Sequence, residues 1–443
     1  MKIPFSPPYI DEDVKREVLD TLDSGWITSG PKVLALEKLV AEQTGVSHVA
    51  CCNSATSGLM LLLHWYGVTR GDEVIIPAYT YAATALVVMH LGATPVLVDS
   101  GSDFNMDVNQ IRDKITSKTK AIIPVDIAGW PCDYDQISTL VNEPEVKRQF
   151  NPATVNQQQL GRIMVLSDAA HSIGAYYHNK PIGTWADFTV FSFHAVKNVT
   201  TAEGGAMCIN LPQGFDNGPV YKTLKLWSLN GQTKDALAKT QGAGWKYDIV
   251  YPGFKMNMPD LGAAIGLAQL RKYQTHILPE RKRVFDQYVQ HFSKYSWAEL
   301  PPQNSEQKKS SYHLFALRIK DITEAQRDKM IELITETGVS VNVHFQPLPL
   351  LTVFKERGYK MEDYPVAYDS YAREISLPIY PELDETKIKY IVENVADAYH
   401  QILPLSSGEG QGKARAYDFY SREISLPIYP ELALPKLNTS SGQ

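Results

Sequence analysis

Six short apolar runs, each handing over to a turn of small or polar residues, decide what this chain can fold into. They are His48–Cys52, Glu73–Pro77, Thr94–Asp99, Ala121–Val125, Ile163–Leu166 and Phe188–Phe191. The segments between them include apolar helical stretches such as Leu59–Leu63. Strands alternating with helices build a mostly parallel sheet, and open α/β sheets hold their ligands just beyond the carboxyl ends of the strands. The residues that follow each run are therefore the first place to look for chemistry. At 443 residues the chain is long enough for two domains.

Four of these turns carry informative residues. Asn53–Gly58 joins a strand to an apolar helix through small hydroxyl-bearing residues; this is either an ordinary capped helix or a cradle of backbone N–H groups for a phosphate. Tyr79 and Tyr81 follow the second run, where an aromatic ring can pack in the core or stack on a flat cofactor. Asp168 ends the run at 163–166. It either caps a helix or answers a cation such as a protonated pyridine nitrogen, because an unpaired buried carboxylate is costly. Lys197 lies shortly past Phe188–Phe191, in Phe191–Gly205. It is either a solvated loop lysine or an amine kept neutral so that it can form a Schiff base with an aldehyde cofactor. Asp168 and Lys197 together, each near a strand's carboxyl end, favour the chemical reading.

The rest of the chain reads as scaffold. Helices are predicted over 9–24, breaking at Ser24–Gly25, and over 32–44, stopping at Gly45. The polar stretch 142–161 reads as a surface insertion, and 279–294 as a basic amphipathic helix with a solvated charged face. After a polar break at 300–310, strands at 313–319 and 339–344 and a helix at 324–336 suggest a smaller α/β domain. His344 either approaches the site or is a satisfied core or surface histidine. The expected division is 1–274, 275–404 and 405–443. A net charge of −6 gives no reason to expect nucleic acid or an anionic membrane as partner. Cys51, Cys52, Cys132 and Cys208 show neither CxxC spacing nor disulfide-scaffold density. With no leader-like start and no bilayer-length apolar run, a cytoplasmic protein without a metal site is expected.

Several motifs in order carry a family resemblance: Gly25–Pro31, Asn53–Gly58, Pro77–Thr84, Asp168–His171, Ser192–Gly205 and Pro252–Leu261. The chain resembles the DegT/DnrJ/StrS family of pyridoxal-phosphate-dependent nucleotide-sugar aminotransferases over roughly residues 5–400. In wording, the lysine and 252–261 motifs are most similar to the members that make UDP-4-amino-4-deoxy-L-arabinose. The resemblance implies the aspartate-aminotransferase-like fold (type I): a large mostly parallel sheet domain and a smaller C-terminal α/β domain. It implies that Lys197 carries pyridoxal 5'-phosphate as a Schiff base and moves the proton, and that Asp168 keeps the pyridine nitrogen protonated. Tyr81 would stack on the ring, His171 would lie close to it, and Thr56, Ser57 and Ser192 would hold the phosphate. It further implies a homodimer with shared sites, to which Lys255 or Asn257 contributes in trans, a glutamate donor and a keto-sugar on a nucleotide. The family's sugar dehydratases replace the lysine with histidine, so Lys197 argues against that activity. The intact Asp168 and Lys197 pair argues against a catalytically silent, regulatory cofactor-binding protein.

One repeat stands apart from this frame. Ala367–Leu383 returns almost verbatim as Ala416–Leu432, after a Ser/Gly-rich linker at 406–412. Only the first copy precedes an amphipathic helix, 384–402, whose Ile388, Ile391, Val392 and Val395 can anchor it. The second copy is expected to have no catalytic role, although a tether gives it a high local concentration. Truncation after Leu405 should therefore leave turnover and melting temperature close to those of the full chain; a large drop in either would make the second copy a working part of the fold.

Overall fold

Strands of four or five residues, buried over most of their length, are the frame of the molecule, as expected for a sheet covered on both faces. A computed structural model of the protein describes residues 1–234 and 246–403; the linker and the second repeat copy lie outside them. Residues 1–402 form one compact unit. Its main sheet comprises β1 (His48–Cys52), β2 (Glu73–Pro77), β3 (Thr94–Val98), β4 (Thr119–Ile122), β5 (Met164–Asp168), β6 (Phe188–Ser192) and β7 (Gly205–Ile209). The order is β1–β7–β6–β5–β4–β2–β3. Only β7 runs against its neighbours, pairing antiparallel with β1 and β6, so this sheet is mostly parallel.

Local chemistry sets the helices. Asp11 caps α1 (Glu12–Asp23) by accepting from Val14 N. Ser54 does the same for α3 (Ala55–Tyr66) through Ser57 N. The helix α2 (Pro31–Thr44) starts on a proline and stops at Gly45 in the left-handed conformation. It has no cap of its own in sequence. Its cap comes from the start of α5 (Asp260–Arg271), α4 being Ala83–His90. The buried Asp260 accepts from Gly30 N and Val33 N through Oδ1 (2.8 and 2.9 Å) and from Lys32 N through Oδ2 (3.0 Å). The Gly25–Pro31 loop is thus stitched to the 252–261 motif.

Beyond α6 (Leu278–Phe292) a small antiparallel sheet forms from β8 (Ala298–Glu299), β9 (Phe315–Ile319) and β10 (Glu374–Leu377), in that order. The helices α7 (Glu324–Glu336) and α8 (Glu385–Ile402) belong with it, and α8 buries Ile388, Ile391, Val392 and Val395. The first repeat copy supplies β10 and the helix Pro365–Arg373. Ser370 in that helix is buried against Arg318; the second copy has Phe419 at the matching place, so the two copies are not interchangeable in this packing.

The structure departs from expectation in two places and adds to it in a third. The polar stretch 142–161 is mostly exposed, as a surface insertion should be, but it forms helices Pro144–Gln149 and Val155–Leu160 and buries Val146, Phe150 and Gln157. Its Gln157 is fully buried, donating to the Tyr66 carbonyl (3.0 Å) and accepting from Ala153 N (2.8 Å). Residues 339–344 make no strand, only isolated pairings of Val339 with Ile3 and Asn342 with Ser376. The face of α6 is not wholly solvated, because Arg281 is buried and donates to the carbonyls of Tyr312 and His313.

Asp260→Ala strips three backbone amides of their acceptor at a buried site. It should cost about 2–4 kcal/mol and lower the denaturant midpoint without changing the far-UV spectrum; an unchanged midpoint would refute this capping role.

Candidate active site

The carboxyl ends of β5 and β6 and the amino end of α3 open on a single cavity of about 410 Å³. Ser54, Ala55, Thr56, Tyr81, Asp168, His171, Ser192 and Lys197 all border it. The register explains the convergence: Asp168 lies beside Val190, and Ser192 beside Gly205. Gly205 is needed there. A Cβ at that position would come within 2.6 Å of Ala55 N and 2.7 Å of the Ser54 carbonyl carbon. The backbone of β7 thus presses directly on the start of α3 and fixes where its free N–H groups point.

Asp168 is buried, and its oxygens accept from Thr84 Oγ1 (2.8 Å) and Ala170 N (3.3 Å). Burial raises its pKa, while those donors and the nearby Lys197 amine pull the other way. Lys197 shows the mirror effect: desolvation outweighs the attraction of Asp168 and brings its amine down to about 8.

His171 accepts from Ala128 N through Nδ1 (3.2 Å), so its proton sits on Nε2. Sequence reasoning passed over His313, Asn198 and Phe345. The His313 ring lies 4.3 Å from that of His171, and Phe345 lies 5.7 Å from His171 and 5.8 Å from Tyr81. Asn198 Nδ2 donates to the Ser311 carbonyl (2.8 Å) and Tyr273 Oη (3.1 Å), which leaves its Oδ1 to accept from His313 Nδ1 (2.9 Å). Nothing in the sequence around 311–313 signals this wall. His344 also borders the cavity, against its reading as a core or surface histidine.

The remaining predicted residues are placed differently. Tyr81 is 63 % exposed at the rim, whereas Tyr79 is buried and donates to the His344 carbonyl (2.5 Å). The Ser57 hydroxyl accepts from Ser54 Oγ (2.9 Å) at the helix cap. Neither Lys255 nor Asn257 borders the cavity. Lys255 is exposed and donates to Asn257 Oδ1 (2.6 Å), and Asn257 donates to Ser29 Oγ (2.7 Å) beside a second groove lined by Gly30, Lys225 and Gln232.

A buried carboxylate, a desolvated amine and a helix amino end on one cavity suit an anionic ligand with a reactive carbonyl and a basic ring. Comparison with known proteins agrees with that chemistry. A protein of Streptococcus pneumoniae assigned as a sugar aminotransferase, solved in its PMP form, superposes with a TM-score of 0.87 at 43 % identity, over 91 % of this chain and all of that one. The Helicobacter pylori aminotransferase involved in the biosynthesis of pseudoaminic acid gives 0.78 at 26 %, over 90 % of this chain and all of that one. A spore coat polysaccharide biosynthesis protein of Bacillus subtilis is 33 % identical over 400 residues, 89 % of this chain and 96 % of its own length. The DegT/DnrJ/EryC1/StrS aminotransferase family profile matches residues 8–149 and 154–396, and with these relatives it shows that the chain belongs to that family.

Proposed function

We propose that this protein transfers an amino group from glutamate to the carbonyl of a nucleotide-linked keto-sugar, a UDP-4-keto sugar being the favoured acceptor, with pyridoxal 5'-phosphate as its cofactor. The observation that carries this reading is the meeting of Lys197 and Asp168 at one cavity. When bound, the cofactor supplies an aldehyde and an electron-withdrawing ring that stabilises negative charge at the substrate carbon.

The residues present fit such a group. The amino end of α3 with Thr56, and Ser192 opposite, offer N–H and hydroxyl donors to a phosphate. Ser57 acts on the helix cap. Asp168, already held by two neutral donors, offers negative charge to a ring nitrogen. Tyr81 and His171 border the space between them. Lys197 is the base: burial brings its amine down to about 8, which leaves a usable unprotonated fraction near neutral pH to take a proton from the carbon bearing the amino group and hold it at Nζ. Burial of Asp168 keeps water from screening its charge. The 4-keto and UDP preferences rest on the wording of the lysine and 252–261 motifs. Lys255 and Asn257 do not border this cavity, which supports a homodimer in which they serve the neighbour's site.

Lys197→Ala should lower amino transfer on the order of 10³-fold or more while leaving the melting temperature within a few degrees. Near-normal turnover in this variant would overturn the reading. Asp168→Asn should weaken both cofactor retention, read by absorbance, and turnover. In the cofactor-free protein, the rate of acylation of Lys197, followed by mass spectrometry, should rise with pH through a midpoint near 8, because only the neutral amine reacts; a midpoint above 10 would contradict the desolvated environment. Sedimentation should show a dimer, and an active monomer would rule out the shared site. A panel of UDP- and dTDP-linked keto-sugars with glutamate identifies the acceptor.

A further inference from the structure

The cavity has a feature that the proposed chemistry leaves unused: a file of three polar groups leading away from it into the small sheet. His344 stands on the wall, its ring stacked on Phe5 with centroids 5.4 Å apart. Behind it, His344 Nδ1 lies 2.9 Å from Ser376 Oγ, and Ser376 Oγ lies 2.5 Å from Glu374 Oε1. The other carboxyl oxygen, Oε2, accepts from the His344 backbone N–H (3.0 Å). Ser376 and Glu374 sit on β10 and are wholly buried. The backbones of Asn342 and Ser376 bond in both directions (3.2 and 2.8 Å), and Tyr79 Oη holds the His344 carbonyl.

The bonds constrain where protons can lie. Because Oε2 must accept from a backbone N–H, any proton on Glu374 is carried by Oε1. The neutral acid then donates to Ser376 Oγ, Ser376 donates to His344 Nδ1, and the imidazole presents Nε2–H to the cavity. With Glu374 ionised the file reverses: His344 Nδ1–H donates to Ser376 Oγ, Ser376 donates to Oε1, and Nε2 presents a lone pair. One proton on Glu374 therefore decides whether the cavity-facing nitrogen is a donor or an acceptor.

We propose that His344 is a substrate-facing residue of this cavity, and that Ser376 and Glu374 are positioning residues that set whether its Nε2 donates or accepts a hydrogen bond. This rests on the amino-transfer reading for the identity of the substrate and not for the geometry of the file. In the donor state, Nε2–H suits an oxygen acceptor, which either the carboxylate of the amino donor or an oxygen of the keto-sugar provides. Burial of Glu374 favours the donor state at neutral pH, outweighing the nearby cations and hydrogen-bond donors that pull the other way. Glu374 is faced by Tyr79, by Arg318 of β9, which pairs with Glu299, and by Arg327 of α7, whose guanidinium donates to the Glu374 carbonyl. Its carboxylate makes no ion pair among the described residues, and burial lifts its pKa to about 8. The imidazole is faced by Lys197, His171 and His313, and stays neutral.

The test compares the wild-type holoenzyme with Glu374→Gln, Ser376→Ala and Ser376→Thr. In Glu374→Gln the amide oxygen takes the Oε2 place and the NH2 group points at Ser376, which locks the donor tautomer. Imidazole nitrogen NMR should show His344 passing from Nε2–H to Nδ1–H near pH 8 in wild type, and remaining Nε2–H to pH 10 in Glu374→Gln. Ser376→Ala should raise KM about tenfold for whichever substrate His344 meets, glutamate or keto-sugar, with kcat changed less than about threefold and cofactor absorbance unaltered. Ser376→Thr, which keeps the hydroxyl, should restore KM. Identical tautomer titrations in wild type and Glu374→Gln would overturn the proton file, and unchanged KM for both substrates in Ser376→Ala would overturn the contact with substrate. If wild type aminates no keto-sugar, the functional reading fails, while the NMR arm still decides the file.

Discussion

Everything at this site depends on a carboxylate that the fold buries without giving it a full counter-charge. Taking an ion out of water costs several kcal/mol after relaxation, and among the described residues Asp168 receives only a hydroxyl and one backbone N–H in return. The Lys197 amine stands near enough to interact, yet the same desolvation that lifts the acid lowers the base. A closed ion pair would have quenched both groups. Neutral partners instead leave Asp168 with unspent attraction for a cation that arrives with a ligand, and leave Lys197 a usable fraction of free amine. The strand register makes this arrangement possible, since β5 and β6 end side by side.

Much of this was legible in the sequence, and for physical reasons. Short apolar runs at strand length located the sheet, and acid and amine stood out because each followed such a run. Gly45 and the turn at Asn53–Gly58 marked helix limits because caps and left-handed stops are local. What failed to show was contact between distant segments. Asp260 caps a helix more than two hundred residues earlier, so its purpose is visible only once the 25–31 loop is folded against it. Gln157 sits in a glutamine-rich stretch that looks soluble, and the Tyr66 carbonyl at the end of α3 and Ala153 N–H draw it inside. The run 339–344 alternates like a strand, but its partners are single residues of the amino-terminal arm and of β10.

The histidine wall follows from the same burial that governs Asp168. His171, His313 and His344 all border one cavity with Lys197, and three cations there would repel one another and the amine. Desolvation removes that conflict by holding all three neutral, His344 down to about 3. Neutral imidazoles still carry direction, because each has one donor and one acceptor nitrogen. Ala128 N–H fixes the first, Asn198 the second, and Ser376 the third. Asn198 also meets Tyr273, whose hydroxyl burial pushes up to about 12, so of these anchors only Ser376 is attached to a group that changes charge near neutral pH, and the polarity of His344 depends on Glu374 while that of His171 and His313 is fixed. The backbone permits this packing at Gly129, where φ is 89° and a Cβ would stand 2.0 Å from Ser311 Oγ and 2.9 Å from the His171 carbonyl oxygen. Any larger residue there would push the 311–313 segment outward. The first loss would be the close, tilted approach of His171 and His313, and with it one wall of the cavity that Lys197 borders.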